Sequence, residues 1–67
     1  MPRINRIKEV LVSQEKTQKW LSQKLGRSTN TISLICNNKS QPRLRDLKKI
    51  ADLLNVDIRE LLIATKK

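Results

Sequence analysis

Four short, uncharged side chains in the middle of the sequence have the spacing of one exposed helix face, called the recognition face below. They are Thr29, Asn30, Ser33 and Leu34. The apolar Ile32 and Ile35 point to the opposite side of the same predicted helix. Hydroxyl and amide groups of this length can form hydrogen bonds with base edges in the major groove, and a leucine can contact a thymine methyl group. This face is therefore the first candidate site.

Basic residues are concentrated around that face. The chain of 67 residues has a formal net charge of +9. Residues 16–45 contain no Asp or Glu, and they hold the basic residues Lys16, Lys19, Lys24, Arg27, Lys39, Arg43 and Arg45. A polyanion is the natural partner of such a surface, and nucleic acid is the most abundant polyanion. A solvated basic face without a partner is the alternative.

The composition argues against several other kinds of chemistry. The chain has no His and a single cysteine, Cys36, which excludes an internal disulfide and a multi-cysteine metal site. We therefore expect no metal, no cofactor and no enzymatic activity, and a location in the reducing cytoplasm. The apolar residues are too interrupted to predict a secretory signal or a membrane span.

The apolar residues repeat at helical spacing in five segments, which predicts one all-α domain over residues 1–67. Its core is expected in residues 4–63, with a frayed tail at 64–67. The predicted helices cover residues 3–14, the stretch from the N-cap Thr17 to Gly26, the stretch from the N-cap Ser28 to Asn37, residues 43–55, and residues 58–63.

Gly26, the only glycine, lies between the second and third predicted helices. There it is expected to end the second helix with a positive φ, a conformation in which a Cβ atom is costly. Two short helices joined by a tight turn that contains glycine are typical of a helix-turn-helix. Asn38 is expected to adopt the same left-handed conformation after the third helix.

The run TQKWLSQKLGRSTNTISLICNNKSQP, residues 17–42, resembles the Cro/C1-type, or XRE-family, helix-turn-helix DNA-binding regulators. The resemblance continues through LRDLKKIADLLNVDIRELL, residues 44–62. It implies a compact five-helix bundle of the lambda-repressor-like type, in which helices 2 and 3 form the helix-turn-helix and helix 3 contacts the major groove. The sequence departs from the family pattern at Lys16, Trp20, Cys36, Asn38 and Arg43, and Arg43 cannot cap the fourth helix.

The resemblance also implies a role for each matching residue. The recognition face is expected to contact bases, and a phosphate set is expected to contact the DNA backbone: Gln18, Arg27, Ser28, Asn37, Lys39 and Arg43. The family usually binds double-stranded DNA as a homodimer on an inverted-repeat operator. Apolar residues near the C-terminus are the predicted dimer contacts: Val56, Ile58, Leu62 and Ile63.

The biological role stays open at this point. The chain could be a repressor or an activator, and a phage repressor, an antitoxin with a partner toxin or a restriction–modification controller all fit, in a bacterial or phage setting at the nucleoid. A nonspecific basic nucleic-acid-binding protein and a protein-interaction module on the same fold are the alternatives. Trp20, the only aromatic residue, is expected at the rim of the core, with a partner contact as the other interpretation.

Overall fold

The computed structural model of the chain describes residues 3–63 and contains four α-helices followed by one 3₁₀ helix. The helices are α1 (Ile7–Ser13), α2 (Gln18–Leu25), α3 (Thr29–Cys36) and α4 (Leu44–Leu54), and the 3₁₀ helix is Ile58–Leu61. The all-α prediction is confirmed for this part of the chain, whose only other pairing is an isolated antiparallel bridge between Asn5 and Leu62. The predicted frayed tail, residues 64–67, lies outside the described residues.

The prediction of a fifth α-helix over residues 58–63 is wrong. Ile58–Leu61 form a single 3₁₀ turn, and the backbone is already extended at Leu62, with φ −116° and ψ 148°. The backbone N–H of Ile63 donates to the carbonyl oxygen of Ile4 at 2.9 Å. This bond and the Asn5–Leu62 bridge pair the chain after Leu61 with the N-terminal segment, so residues 62–63 do not continue a helix.

The first helix begins later than the sequence predicts. The expected start was near Arg3, whereas α1 begins at Ile7. The side-chain oxygen of Asn5 accepts a hydrogen bond from the N–H of Ile7 at 3.2 Å, which satisfies one of the free amides at the start of the helix. The apolar spacing of the sequence predicts that Ile4 faces the core from this helix, but Ile4 lies before the helix and is 49% exposed.

Every element contributes at least one fully buried side chain to the core. Ile7, Leu21, Ile32, Ile50 and Leu61 each have 0% exposure. Ile7, Leu21, Ile32 and Ile50 lie at the helical apolar spacing of their predicted segments, so this spacing identifies the buried faces of the four α-helices. Leu44 is an exception: the same spacing predicts that it faces the core from α4, but it is 76% exposed at the first position of that helix.

Trp20 packs at the rim of this core, as predicted. Its side chain is partly buried against the hydrophobic cluster, and the Lys16 ammonium lies 5.0 Å from the centre of its ring. This distance is within the range of a cation–π contact, which accounts for a charged residue at the end of the α1–α2 connection. Within residues 3–63, every helix is too short or too polar to cross a membrane.

Candidate nucleic-acid interface

The turn between α2 and α3 is fixed by Gly26. Its φ is 73° and its ψ is 31°, the left-handed conformation predicted for it. The N–H groups of Gly26 and Arg27 both donate to the carbonyl oxygen of Ser22 at 3.0 Å, which ends α2. A Cβ atom added to Gly26 would meet nothing within 4 Å, so the requirement for glycine comes from backbone conformation and not from crowding.

Ser28 then starts α3 as the predicted N-cap. Its Oγ accepts from the backbone N–H of Thr31 at 3.1 Å and donates to Thr31 Oγ1 at 3.0 Å. The cap leaves only one residue, Arg27, between the Gly26 turn and the capping position, so α3 leaves α2 at a tightly defined angle. The hydroxyl proton of Ser28 is used inside the helix start, and its predicted phosphate contact stays a prediction.

The recognition face is exposed, and the opposite side of α3 is buried. Thr29 and Asn30 are exposed at the start of the helix, and Leu34 is 39% exposed one turn later. Ser33 is partly exposed, and its Oγ accepts a hydrogen bond of 3.4 Å from Asn37 Nδ2. The structure therefore brings these side chains to one surface, with hydroxyl and amide groups that can meet base edges.

Arg27 has a partner that the sequence analysis missed. Its Nη2 lies 2.9 Å and 3.2 Å from the two carboxylate oxygens of Asp46. The Asp46 side chain is 11% exposed, whereas the Arg27 side chain is 49% exposed. This pair ties the α2–α3 turn to the first turn of α4 and neutralises the acid that follows the basic stretch. The other guanidinium N–H groups of Arg27 stay available for a phosphate contact.

The remaining predicted phosphate contacts surround α3. Gln18 is the first residue of α2, Asn37 ends α3, and Lys39 is exposed in the loop that follows. Arg43 occupies the N-cap position of α4 and forms no side-chain cap, as its residue type predicts. The first amides of α4 favour an anion, and Arg43 adds a positively charged residue directly before them.

The four predicted dimer contacts do not share one helix face. Val56 and Ile58 are partly buried and pack against the core, while Leu62 and Ile63 lie beyond the 3₁₀ helix in extended backbone. Leu62 is 36% exposed. The sequence places three of these residues, Ile58, Leu62 and Ile63, in a fifth α-helix; the structure has a 3₁₀ turn that ends at Leu61, followed by extended backbone at Leu62.

Cys36 lies on the buried side of α3, where it is 3% exposed. Burial raises the pKa of its thiol to about 11, because the thiolate would lose its hydration there. At neutral pH the side chain is therefore a protonated, apolar part of the core, and it is a poor nucleophile.

Similarity to known proteins covers this whole arrangement. A family model described as helix-turn-helix matches residues 7–61, which extend from α1 to the end of the 3₁₀ helix. A solved structure described as "a putative DNA-binding protein from Bacteroides fragilis" is 53% identical in sequence and superposes with a TM-score of 0.88. The similarity covers 90% of this chain and 97% of that chain. No curated protein matches the chain.

Proposed function

The chain belongs to the XRE-type helix-turn-helix family, and from this membership we propose that it is a sequence-specific regulator of transcription that binds double-stranded DNA. In this proposal α3 lies in the major groove with the recognition face against base edges, and α2 braces it across the DNA backbone. The relative from Bacteroides fragilis, described as DNA-binding, supports DNA as the partner.

One observation carries the proposal: the face of α3 that is free of core contacts is uncharged, and it lies within a segment that has no acidic residue. The recognition face holds hydroxyl and amide groups, which discriminate between bases, while the basic residues lie around it. A protein that binds nucleic acid only through charge would instead place Lys and Arg on that face.

Phosphate affinity is assigned to the side chains that border the recognition face and to the start of α4. Lys39 and Arg43 supply positive charge on the side of the α3–α4 loop, and Gln18 supplies a neutral hydrogen bond at the start of α2. Arg27 contributes less charge than the others, because Asp46 offsets part of it. Asn37 and Ser28 complete the set with short polar groups.

The proposed regulator acts as a homodimer on an inverted-repeat operator, in the cytoplasm, and has no catalytic role. Its proposed dimer contacts are the exposed Leu62 and the partly buried Val56, Ile58 and Ile63. The roles of phage repressor, antitoxin with a partner toxin, and restriction–modification controller all use such a domain. The neighbouring genes separate these three roles.

Selection from random duplex DNA at about physiological salt tests the proposal. A palindromic consensus is the expected result, and binding without base preference but with steep salt dependence would overturn it. Asn30→Ala is expected to relax the preference at one or two base pairs and to weaken binding to the best site by roughly 1–3 kcal/mol. Arg43→Ala, the matched control, is expected to weaken all sequences alike and to reduce the salt slope by about one unit.

A further inference from the structure

Two buried asparagines connect the N-terminal segment, residues 4–6, to the loop that follows α3. Asn38 Oδ1 accepts hydrogen bonds from the backbone N–H groups of Ile4 at 2.8 Å and Asn5 at 2.9 Å. Asn38 Nδ2 donates back to the carbonyl oxygen of Asn5 at 3.1 Å. The Asn5 side chain donates from Nδ2 to the Ile35 carbonyl oxygen at 3.0 Å and to Gln41 Oε1 at 2.8 Å.

These contacts form a complete polar network inside a small domain. Asn5 is 1% exposed and Asn38 is 3% exposed. Among residues 3–63, no buried side-chain nitrogen or oxygen lacks a hydrogen-bond partner. Buried amides are unfavourable unless every group is paired, and a fully paired network is satisfied in only one geometry. The network therefore specifies the position of the segments that it joins.

The N-terminal segment is itself held from its other side. The N–H of Arg6 donates to the carbonyl oxygen of Leu61 at 2.7 Å, and the N–H of Ile63 donates to the carbonyl oxygen of Ile4 at 2.9 Å. One edge of residues 4–6 thus pairs with residues 61–63, and the other edge pairs with the Asn38 side chain. Residues 4–6 are therefore held on both edges, and the loop after α3 is positioned through its hydrogen bonds with them.

The loop that is held in this way carries predicted phosphate contacts. The N–H groups of Lys39 and Ser40 donate to the carbonyl oxygen of Leu34 at 2.9 Å and 3.2 Å, which joins the loop to the recognition helix. Further along, Gln41 Nε2 donates to Asn38 Oδ1 at 3.2 Å, two residues before Arg43. The same network therefore lies between the end of α3 and the start of α4.

We propose that Asn5 and Asn38 are positioning residues of the DNA interface. They contact no DNA themselves, and they hold the loop of residues 37–42 at the distance from α3 that lets Lys39 and Arg43 meet phosphates while the recognition face meets bases. The inference rests on the proposed function and deepens it, because residues in the interior of the domain then determine where the phosphate-contacting side chains lie relative to the recognition face.

Asn38→Gly is the variant that tests this role. Glycine accepts the φ of 59° found at this position, so the change removes the side-chain bonds and leaves the backbone conformation available. Val10→Ala is the control, because it removes buried apolar contacts from α1 without touching the network. Gln41→Ala removes only the two bonds of an exposed side chain, and it is a milder second test that does not depend on the folding of Asn38→Gly.

The first measurement needs no DNA. Hydrogen exchange of the Lys39 and Ser40 amides is compared with that of the core amides of α4 in the intact chain. In Asn38→Gly the loop amides are expected to lose at least tenfold more protection than the core amides, whereas in Val10→Ala both sets change together. Loop amides that follow the core amides in Asn38→Gly and in Gln41→Ala would overturn the inference.

The second measurement is the salt dependence of binding to the selected operator. Asn38→Gly is expected to bind about tenfold more weakly at physiological salt, with a salt slope lower by about one to two units, because one or two phosphate contacts lose their fixed position. Val10→Ala keeps the wild-type slope while it remains folded. A wild-type chain that binds no operator overturns the proposed function, whereas normal operator binding that Asn38→Gly leaves unchanged overturns only this inference.

Discussion

The turn after α2 and the turn after α3 each contain a residue in the left-handed backbone conformation, but the two residues differ in what their side chains contribute. Gly26 has a φ of 73°, and the space where its side chain would lie is empty. Asn38 has a φ of 59°, and its side chain is buried in hydrogen bonds to residues more than thirty positions earlier in the chain. At the first turn only the backbone conformation is involved, whereas at the second turn the side chain also forms hydrogen bonds with the N-terminal segment.

This difference separates local from long-range control of the interface. The angle between α2 and α3 is set within a few residues, by Gly26 and the Ser28 cap. The placement of the loop after α3 depends on the N-terminal segment, which is itself held by the end of the described chain. The recognition face is therefore oriented mainly by its own turn, together with the Arg27–Asp46 pair, whereas the loop that carries Lys39 is also held by hydrogen bonds between Asn38 and the N-terminal segment.

Replacement of Asn38, in the turn after α3, is expected to have the largest effect on the free energy of unfolding. Asn38→Ala leaves the N–H groups of Ile4 and Asn5 without their acceptor and places an alanine at positive φ. We expect the free energy of unfolding to fall by about 3 kcal/mol, from the lost buried hydrogen bonds together with the strained backbone. Urea denaturation followed by circular dichroism measures this change, and a loss below about 1 kcal/mol would show that the two turns do not differ in this way.

Substitution of Gly26 in the first turn is expected to lower the free energy of unfolding less than Asn38→Ala does. For each kcal/mol of stability that is lost, it is expected to weaken DNA binding more. Gly26→Val introduces strain at φ 73° without a clash, and we expect a loss of about 2 kcal/mol in the free energy of unfolding. Relief of that strain changes the angle between α2 and α3, so operator affinity falls further than the fraction of unfolded protein explains. The measurement is operator titration of Gly26→Val beside Val10→Ala, at temperatures where both are folded. Equal affinities in these two variants would contradict the role of Gly26 in orienting α3.

The sequence predicted the features that depend on neighbouring residues. Gly26, the caps at Thr17 and Ser28, and the buried stripe residues all follow from local spacing, and the structure confirms them. The pairing of Asn5 with Asn38 could not be predicted, because a single sequence gives no signal that joins residues 33 positions apart. The Arg27–Asp46 pair was missed for the same reason. The fifth helix failed because Ile63 pairs with Ile4, a long-range contact that competes with local helix spacing.

The smallest expected effects come from substitutions at the N-caps of the helices that follow the two turns. The helix after Gly26, α3, has a side-chain cap from Ser28, whereas the helix after Asn38, α4, has Arg43 at its N-cap position and no side-chain cap. Arg43→Ser supplies the missing cap, so we expect the free energy of unfolding to rise by up to about 1 kcal/mol, and Ser28→Ala is expected to lower it by a similar amount.

The same substitution at Arg43 is expected to weaken DNA binding, because it removes a positive charge beside the first amides of α4. Thermal denaturation and operator titration over a range of salt concentrations measure the two effects separately, and the salt slope is expected to fall by about one unit. Stability and affinity then change in opposite directions in one variant, which no general loss of folding can produce. If Arg43→Ser raised stability and left the salt slope unchanged, Arg43 would have no phosphate contact, and the missing cap at α4 would need another explanation.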